Sequence, residues 1–220
     1  MSNKLYIMDI IDGTVVDGPG FRLSIYCAGC EHRCPECHNP QSWEMTNGKL
    51  MTQDDLMKAV TDSPWNVTFS GGDPFYQAEA FAELASRIKK ETTKTIWCYT
   101  GFTIEELLQE NDPHRMALLR NIDVLVDGPF IQAQRDEQLR FRGSANQRIL
   151  EMKDYFPTDK KREIHTYEPL FFLLQLMNFL ESLLYIIGIP FLRIAGNKLC
   201  DETGKEELHS NNQCHKGQVE

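Results

Sequence analysis

Short β-branched or aromatic runs alternate with helical patterns through the first 150 or so residues, which predicts an α/β fold built on a mostly parallel sheet. FRLSIYC (21–27), NVTFS (66–70), TIWCYT (95–100) and IDVLVDG (122–128) are short, apolar and closed by Gly or polar residues, the pattern of buried strands. Between them TQDDLMKAV (52–60), QAEAFAELASRIKK (77–90) and TIEELLQE (103–110) read as helices. Thr52 and Thr103 are placed as N-caps, and the acids that follow them suit the positive end of a helix dipole. Such a sheet is either open or partly closed like a barrel, and its ligands sit at the carboxyl ends of the strands. CAGC, SGGDP, YTGF and VDGPF each follow directly on a predicted strand, so four loops are expected to line one edge.

The character of the chain changes near Asp154, which divides it into a domain over 1–153 and a C-terminal extension over 154–220. DYFPTDKKREIHTYEP reads as a polar linker into the apolar run LFFLLQLMNFLESLLYIIGIPFL (170–192), with a helix expected at about 170–188. The run is long enough to span a membrane. Yet Gln175, Asn178, Glu181, Ser182 and Tyr185 recur at three- and four-residue steps and form one polar stripe on a helix. A packed or self-associating helix explains that stripe better than a lipid-facing one, in which Glu181 is costly.

With 220 residues, 41% hydrophobic and 25% charged, the chain has the composition of an ordinary soluble globular protein. A net charge of −9 argues against a nucleic-acid binder, which shows a basic face. MSNKLYIMDIIDGT lacks an unbroken apolar stretch behind a basic start, so the expected location is the cytoplasm. In a reducing compartment, seven cysteines with four crowded into Cys27–Cys37 read as metal ligands or redox groups and not as disulfides.

Cys30-Glu-His-Arg-Cys34-Pro-Glu-Cys37 has the spacing C-x3-C-x2-C. Soft thiolates spaced this closely let one loop wrap a cubane iron–sulfur cluster, and three of them leave the fourth iron open to a substrate. Zinc is the alternative, with Cys27, His32 or His38 completing a tetrahedron, although no second C-x2-C pair is present. A cysteine cluster with no metal is the third reading. Ser70-Gly71-Gly72-Asp73-Pro74 places glycines where backbone can approach a ligand and a carboxylate where it can meet a cationic amine; a plain strand-to-helix turn would carry the same residues.

C-x3-C-x2-C is the signature of radical S-adenosylmethionine enzymes, and DGPGFRLSIYCAGCEHRCPECHNPQSW (17–43) resembles the activating proteins of anaerobic (class III) ribonucleoside-triphosphate reductase. The resemblance continues in order through FSGGDPF (69–75), IWCYTGF (96–102), IDVLVDGPF (122–130) and FRGSANQRI (141–149). It implies a radical S-adenosylmethionine fold, a partial (β/α) barrel, over 1–153, with a 4Fe–4S cluster on Cys30, Cys34 and Cys37 and Cys27 as a bystander in the strand. It implies that the Ser70, Gly71, Gly72 and Asp73 loop holds the amino group of S-adenosylmethionine, with Glu36, Cys37, His38, Thr100 and Asn146 as further cofactor contacts. The superfamily often has an aromatic residue before the third cysteine, where this chain has Glu36. The activator family has a small residue there and an aromatic just after, where this chain has His38, whose imidazole can stack or hydrogen-bond.

Other polar groups are open to two readings. Tyr99, Thr100 and Gly101 can approach the cofactor or simply end a strand, and Asp127 can contact a ligand or make a turn. Arg142, Ser144, Asn146 and Gln147 can touch the cofactor, the partner protein or only solvent. Gly18 and Gly20 are given a backbone role, and Cys98 a place in the core. His114, His165, His209, His215, Cys200 and Cys214 lack metal-ligand spacing.

The implied reaction is cleavage of S-adenosylmethionine and formation of a stored glycyl radical on the large subunit of the reductase, with flavodoxin or ferredoxin as electron donor. No catalytic side chain beyond the cluster is expected. The alternatives are an activator of another glycyl-radical enzyme, such as pyruvate formate-lyase, or a non-catalytic iron–sulfur or zinc module. Many such activators carry an added ferredoxin-like cysteine insert, and no such insert occurs in this sequence.

Overall fold

The computed structural model describes residues 4–157 and, further on, two short strands. By backbone contacts the chain divides into two compact units, Met1–Ile164 and His165–Glu220. In the second unit the described strands Ile194–Ala195 and Lys198–Leu199 pair antiparallel. The helix expected at about 170–188, its polar stripe, His165, His209, His215, Cys200 and Cys214 lie outside the described residues. Among the described residues no helix is long and apolar enough to cross a membrane.

The first unit is a seven-stranded sheet. Its strands are β1 (Leu5–Thr14), β2 (Arg22–Cys27), β3 (Lys49–Met51), β4 (Asn66–Gly71), β5 (Ile96–Tyr99), β6 (Val124–Asp127) and β7 (Arg148–Glu151), in spatial order β3-β1-β2-β4-β5-β6-β7. The four predicted strands form its parallel centre, β2-β4-β5-β6. Antiparallel strands flank it: β1 on β2, β3 on β1, and β7 on β6. The fold is therefore mixed α/β with a mostly parallel central sheet. Four helices complete it: α1 (Gln53–Asp62), α2 (Ala78–Glu91), α3 (Ile104–Glu110) and α4 (Pro113–Asn121).

The alternation of side chains along each strand sorts the two faces of the sheet. Leu23, Ile25 and Cys27 of β2, Val67 and Phe69 of β4, and Ile96 and Cys98 of β5 are buried in one core with Leu56, Val60, Phe81, Leu84, Ile88, Ile104 and Leu107 of the helices. Cys27 and Cys98 are thus strand residues in the core. The intervening residues, Ser24 and Tyr26, Thr68 and Ser70, and Trp97 and Tyr99, belong to the opposite face. There a smaller cluster of Trp97, Val124 and Val126 packs with Tyr99 and Phe141.

Helix starts follow the caps expected of them. Thr52 and Thr103 each form a capping box, with Asp55 and Glu106. Thr103 Oγ1 accepts from Glu106 N at 3.3 Å, and the Glu106 carboxylate accepts from Thr103 N at 2.7 Å. Thr103→Ala is expected to cost about 1 kcal/mol and to lower the melting temperature by roughly 2–4 °C, measured by circular dichroism. Helix α4, absent from the sequence reading, is announced by Asp112-Pro113: Asp112 Oδ1 accepts from His114 N at 3.0 Å and Arg115 N at 2.9 Å, and Pro113 needs no partner for a missing N–H.

Candidate active site

The four parallel strands deliver their loops to one edge. The cysteine loop leaves β2 and is tied down at its root: Gly72 N donates to Cys27 O at 2.7 Å and Asp73 N to Gly29 O at 2.8 Å, while Gly29 N and Cys30 N donate to Ser42 O and Trp43 O at 2.7 and 3.0 Å. The loop then doubles back. Arg33 and Glu36 adopt left-handed backbone (φ 45° and 57°), and Cys37 N closes a turn on Cys34 O at 3.2 Å. Cys30, Cys34 and Cys37 are half-buried free thiols.

Backbone groups bear on two of these sulfurs. Asn39 N donates to Cys37 Sγ at 3.4 Å, and the backbone of His32 and Arg33 favours the charged form of Cys30. Against them, burial and then the charge of Asp73 push the Cys30 thiol up to about 11. Among the described residues no three histidine, cysteine, aspartate or glutamate side chains converge on one point. A single zinc ion needs that convergence, whereas a cubane takes each thiolate on its own iron. Three half-buried thiols on one loop, with an N–H donor on the Cys37 sulfur, fit the soft donor set of a cubane.

A cavity of about 1080 Å³ opens beside the thiols on the sheet face opposite the main core. Cys30, Cys34, Cys37, His38, Ser70, Gly71, Gly72 and Thr100 line it, which brings together most of the site the sequence suggests. Three expected cofactor contacts are placed otherwise. Glu36 is exposed and is not among the lining residues. Asp73 is 1% exposed, and its carboxylate is taken by the protein itself: Oδ1 accepts from Phe75 N, and Oδ2 from His32 Nε2, Thr100 Oγ1 and Gly101 N. Asn146 donates to Pro129 O at 2.7 Å, and its neighbour Gln147 reaches the cavity wall instead.

The two readings left for other polar groups divide as follows. Asp127 is structural, accepting from Ile104 N at 2.8 Å and from Arg148 at 2.6 Å. Gln147 staples its own loop, accepting from Gly143 N and Ser144 N and donating to Gly128 O. Arg142 donates to Gln147 O at 2.8 Å and lines the cavity. His114 is exposed.

Sequence reasoning did not single out Tyr26, Phe130 or Phe141. Tyr26 donates to the Asp17 carboxylate, which also accepts from Ser24 Oγ at 2.8 Å; burial and that charge push its phenol well above the usual range. Strand alternation could have found Tyr26, since it must face away from Cys27. Phe141 sits in left-handed backbone (φ 60°), with its carbonyl accepting from Tyr99 OH at 2.8 Å and its ring edge-on to Trp97. Phe130 stands edge-on to His38, with ring centroids 5.7 Å apart. No local pattern marks either phenylalanine.

The family model described as a 4Fe-4S single cluster domain matches residues 16–150. Fold and site together therefore define an iron–sulfur protein with a single-cluster domain. The chain is 42% identical over 144 residues to the anaerobic ribonucleoside-triphosphate reductase-activating protein of Vibrio cholerae, covering 61% of this chain and 90% of that one. It is 39% identical over 150 residues to the protein of the same name from Haemophilus influenzae, covering 63% and 93%. The chain belongs to the family of anaerobic ribonucleoside-triphosphate reductase-activating proteins. Among solved structures it is similar to QueE from Escherichia coli, with a TM-score of 0.39 and 15% identity over 46% of this chain and 53% of that one.

Proposed function

We propose that this chain is a radical S-adenosylmethionine activase that generates a glycyl radical on the large subunit of an anaerobic ribonucleoside-triphosphate reductase. The observation that carries the proposal is the shared cavity: three cluster-type thiols open into the same space as Gly71, Gly72, Thr100 and His38. With the cluster and S-adenosylmethionine bound, reductive cleavage of the sulfonium gives methionine and a 5′-deoxyadenosyl radical, which takes hydrogen from a glycine of the reductase. Cys30, Cys34 and Cys37 would hold the cluster, and as three ligands for four irons they would leave one site for the cofactor. His38 offers an aromatic edge for the adenine, Ser70 offers a hydroxyl, and Tyr26, Tyr99 and Phe141 form part of the wall. A volume of about 1080 Å³ lies just above the usual range for small-molecule sites, roughly 300–1,000 Å³, and leaves room for a glycine-bearing segment beside the cofactor.

Residues 1–153 form the activase domain on this reading, with the open sheet as the partial barrel of the radical S-adenosylmethionine type and 154–220 as an appendage. Flavodoxin or ferredoxin supplies the electron from the outer side of the cysteine loop, where Glu31, Arg33 and Glu36 are exposed. The setting is the anaerobic cytoplasm.

The test is anaerobic reconstitution with iron and sulfide. The electron resonance spectrum of the reduced cluster is expected to change when S-adenosylmethionine is added, 5′-deoxyadenosine to accumulate, and a glycyl doublet to form on added reductase. An unchanged spectrum without cleavage overturns the radical chemistry. A doublet on a formate-lyase but not on a reductase overturns the partner.

A further inference from the structure

The Asp73 carboxylate is buried beside the cysteine loop, and four donors of the protein itself engage it. A carboxylate has about four lone-pair sites. Oδ2 is saturated by His32 Nε2 at 3.0 Å, Thr100 Oγ1 at 2.9 Å and Gly101 N at 2.9 Å, and Oδ1 accepts from Phe75 N at 2.9 Å in a side chain 1% exposed that does not line the cavity. Because the carboxylate is the acceptor, the His32 Nε2 carries a proton and donates it. The imidazole comes from between Cys30 and Cys34, the hydroxyl and one N–H from the loop after β5, and the carboxylate from the loop after β4.

The surroundings are shaped to the imidazole. A Cβ at Gly101 would stand 2.7 Å from His32 Nε2 and 2.8 Å from its Cγ, so the ring lies where only glycine leaves space. Phe102 meets it edge-on at 4.4 Å and Tyr76 at 5.6 Å, and the Arg115 guanidinium backs Phe102 at 4.3 Å. The His32 side chain is 17% exposed and that of Asp73 1%.

We propose that Asp73 and His32 form a latch that positions the cysteine loop on the sheet edge, and that the ammonium of S-adenosylmethionine does not pair with the Asp73 carboxylate. The inference rests on the reading of Cys30, Cys34 and Cys37 as cluster ligands. His32 sits two residues from both Cys30 and Cys34, so fixing its ring fixes the segment between the first two ligands. Asp73 and His32 are positioning residues on this reading: Asp73 does not line the cavity, His32 reaches its wall, and both act through the backbone that carries the thiols.

The test uses the reconstituted full chain with His32→Ala, Asp73→Asn, the double variant and Gly101→Ala, which displaces the ring without altering the carboxylate. Two quantities are read: the rate at which an iron chelator strips the cluster anaerobically, and the affinity of the cluster-loaded fraction for S-adenosylmethionine by calorimetry. Each single variant is expected to speed cluster loss by about 10–100-fold, as for lost support of metal ligands. The double variant is expected to be no faster than either Asp73→Asn or His32→Ala, since both break one unit. In Asp73→Asn, whose side chain does not line the cavity, affinity for S-adenosylmethionine is expected to stay close to that of the wild type.

Asp73→Asn that weakens S-adenosylmethionine binding tenfold or more while its cluster stays as stable as in the wild type makes the carboxylate an ammonium ligand and overturns the latch. Additive effects in the double variant overturn it as well. Should Asp73→Asn fail to fold, His32→Ala and Gly101→Ala carry the comparison, and unchanged cluster lifetime in both is the overturning result. A wild-type chain that takes up no cluster overturns the functional reading itself, and the latch with it.

Discussion

Cys30→Ala, Cys34→Ala and Cys37→Ala are each expected to reduce bound iron to background and abolish cleavage of S-adenosylmethionine, while Cys27→Ala and Cys98→Ala keep both. The five thiols differ in surroundings and not in kind. Cys30, Cys34 and Cys37 are half-buried on one loop and line the cavity, whereas Cys27 and Cys98 are fully buried at strand positions in the main core. Burial pushes the Cys27 and Cys98 thiols well above their ordinary value, and neither lines the cavity that holds the other three. They behave as small apolar side chains, and their truncation is expected to cost about 1 kcal/mol, read as a small shift in melting temperature. Losing groups that merely support a metal ligand costs about 10–100-fold, so losing a ligand of a three-thiolate set has the larger effect. Iron and sulfide analysis with product chromatography decides the matter. Cys27→Ala that loses iron as Cys34→Ala does would bring Cys27 into the ligand set and reopen the four-ligand zinc reading.

The strands and loops that the sequence revealed are those whose signals are local. The parallel strands are short apolar runs closed by glycine or polar residues, and a capping box lies within four residues. Strand β1 escaped notice because its antiparallel pairing with β2 is interrupted between Ile7 and Asp9 and between Asp12 and Thr14, so no clean alternation survives in LYIMDIIDGT. The cysteine loop was legible because its chemistry is contained in eight residues. Asp73 shows the limit. The sequence displays a carboxylate after two glycines, but three of its four donors come from 27, 28 and 41 residues away. Only the fold decides whether such an acid meets a ligand or its own chain. Asn146 and Gln147 make the same point one residue apart: both are amides in FRGSANQ, and the backbone turns one toward Pro129 and the other toward both the cavity and Gly128.

Gly71→Ala is expected to lower the stability of the apoprotein by roughly 2–5 kcal/mol, from a left-handed backbone penalty of about 1–2 kcal/mol and an overpacking cost of about 1–3 kcal/mol. Gly71 ends β4 with φ +102°, and a Cβ there would lie 2.5 Å from Cys27 N, 2.6 Å from Cys27 O and 2.8 Å from Tyr26 C. All three atoms are backbone of the paired strand, so no rotamer change relieves the clash. Relief has to come from separating β4 from β2, which strains the Gly72 N to Cys27 O bond at the root of the cysteine loop. Melting by circular dichroism is expected to fall by roughly 10 °C, with cluster uptake falling alongside. Gly72→Ala carries no left-handed penalty, yet its Cβ would meet Gly29 O at 2.6 Å and Ser42 O at 3.0 Å, so a smaller loss of stability with a similar loss of cluster is expected. Gly20→Ala is the control: φ is +70° and nothing lies within 4 Å, which leaves the backbone penalty alone and the cluster intact. The comparison separates two reasons for a glycine pair beside a cofactor. If the pair serves only to let a ligand approach, the apoprotein with Gly71→Ala melts no lower than with Gly20→Ala. If it serves to seat the cysteine loop against β4, the loss is present before any cofactor is added.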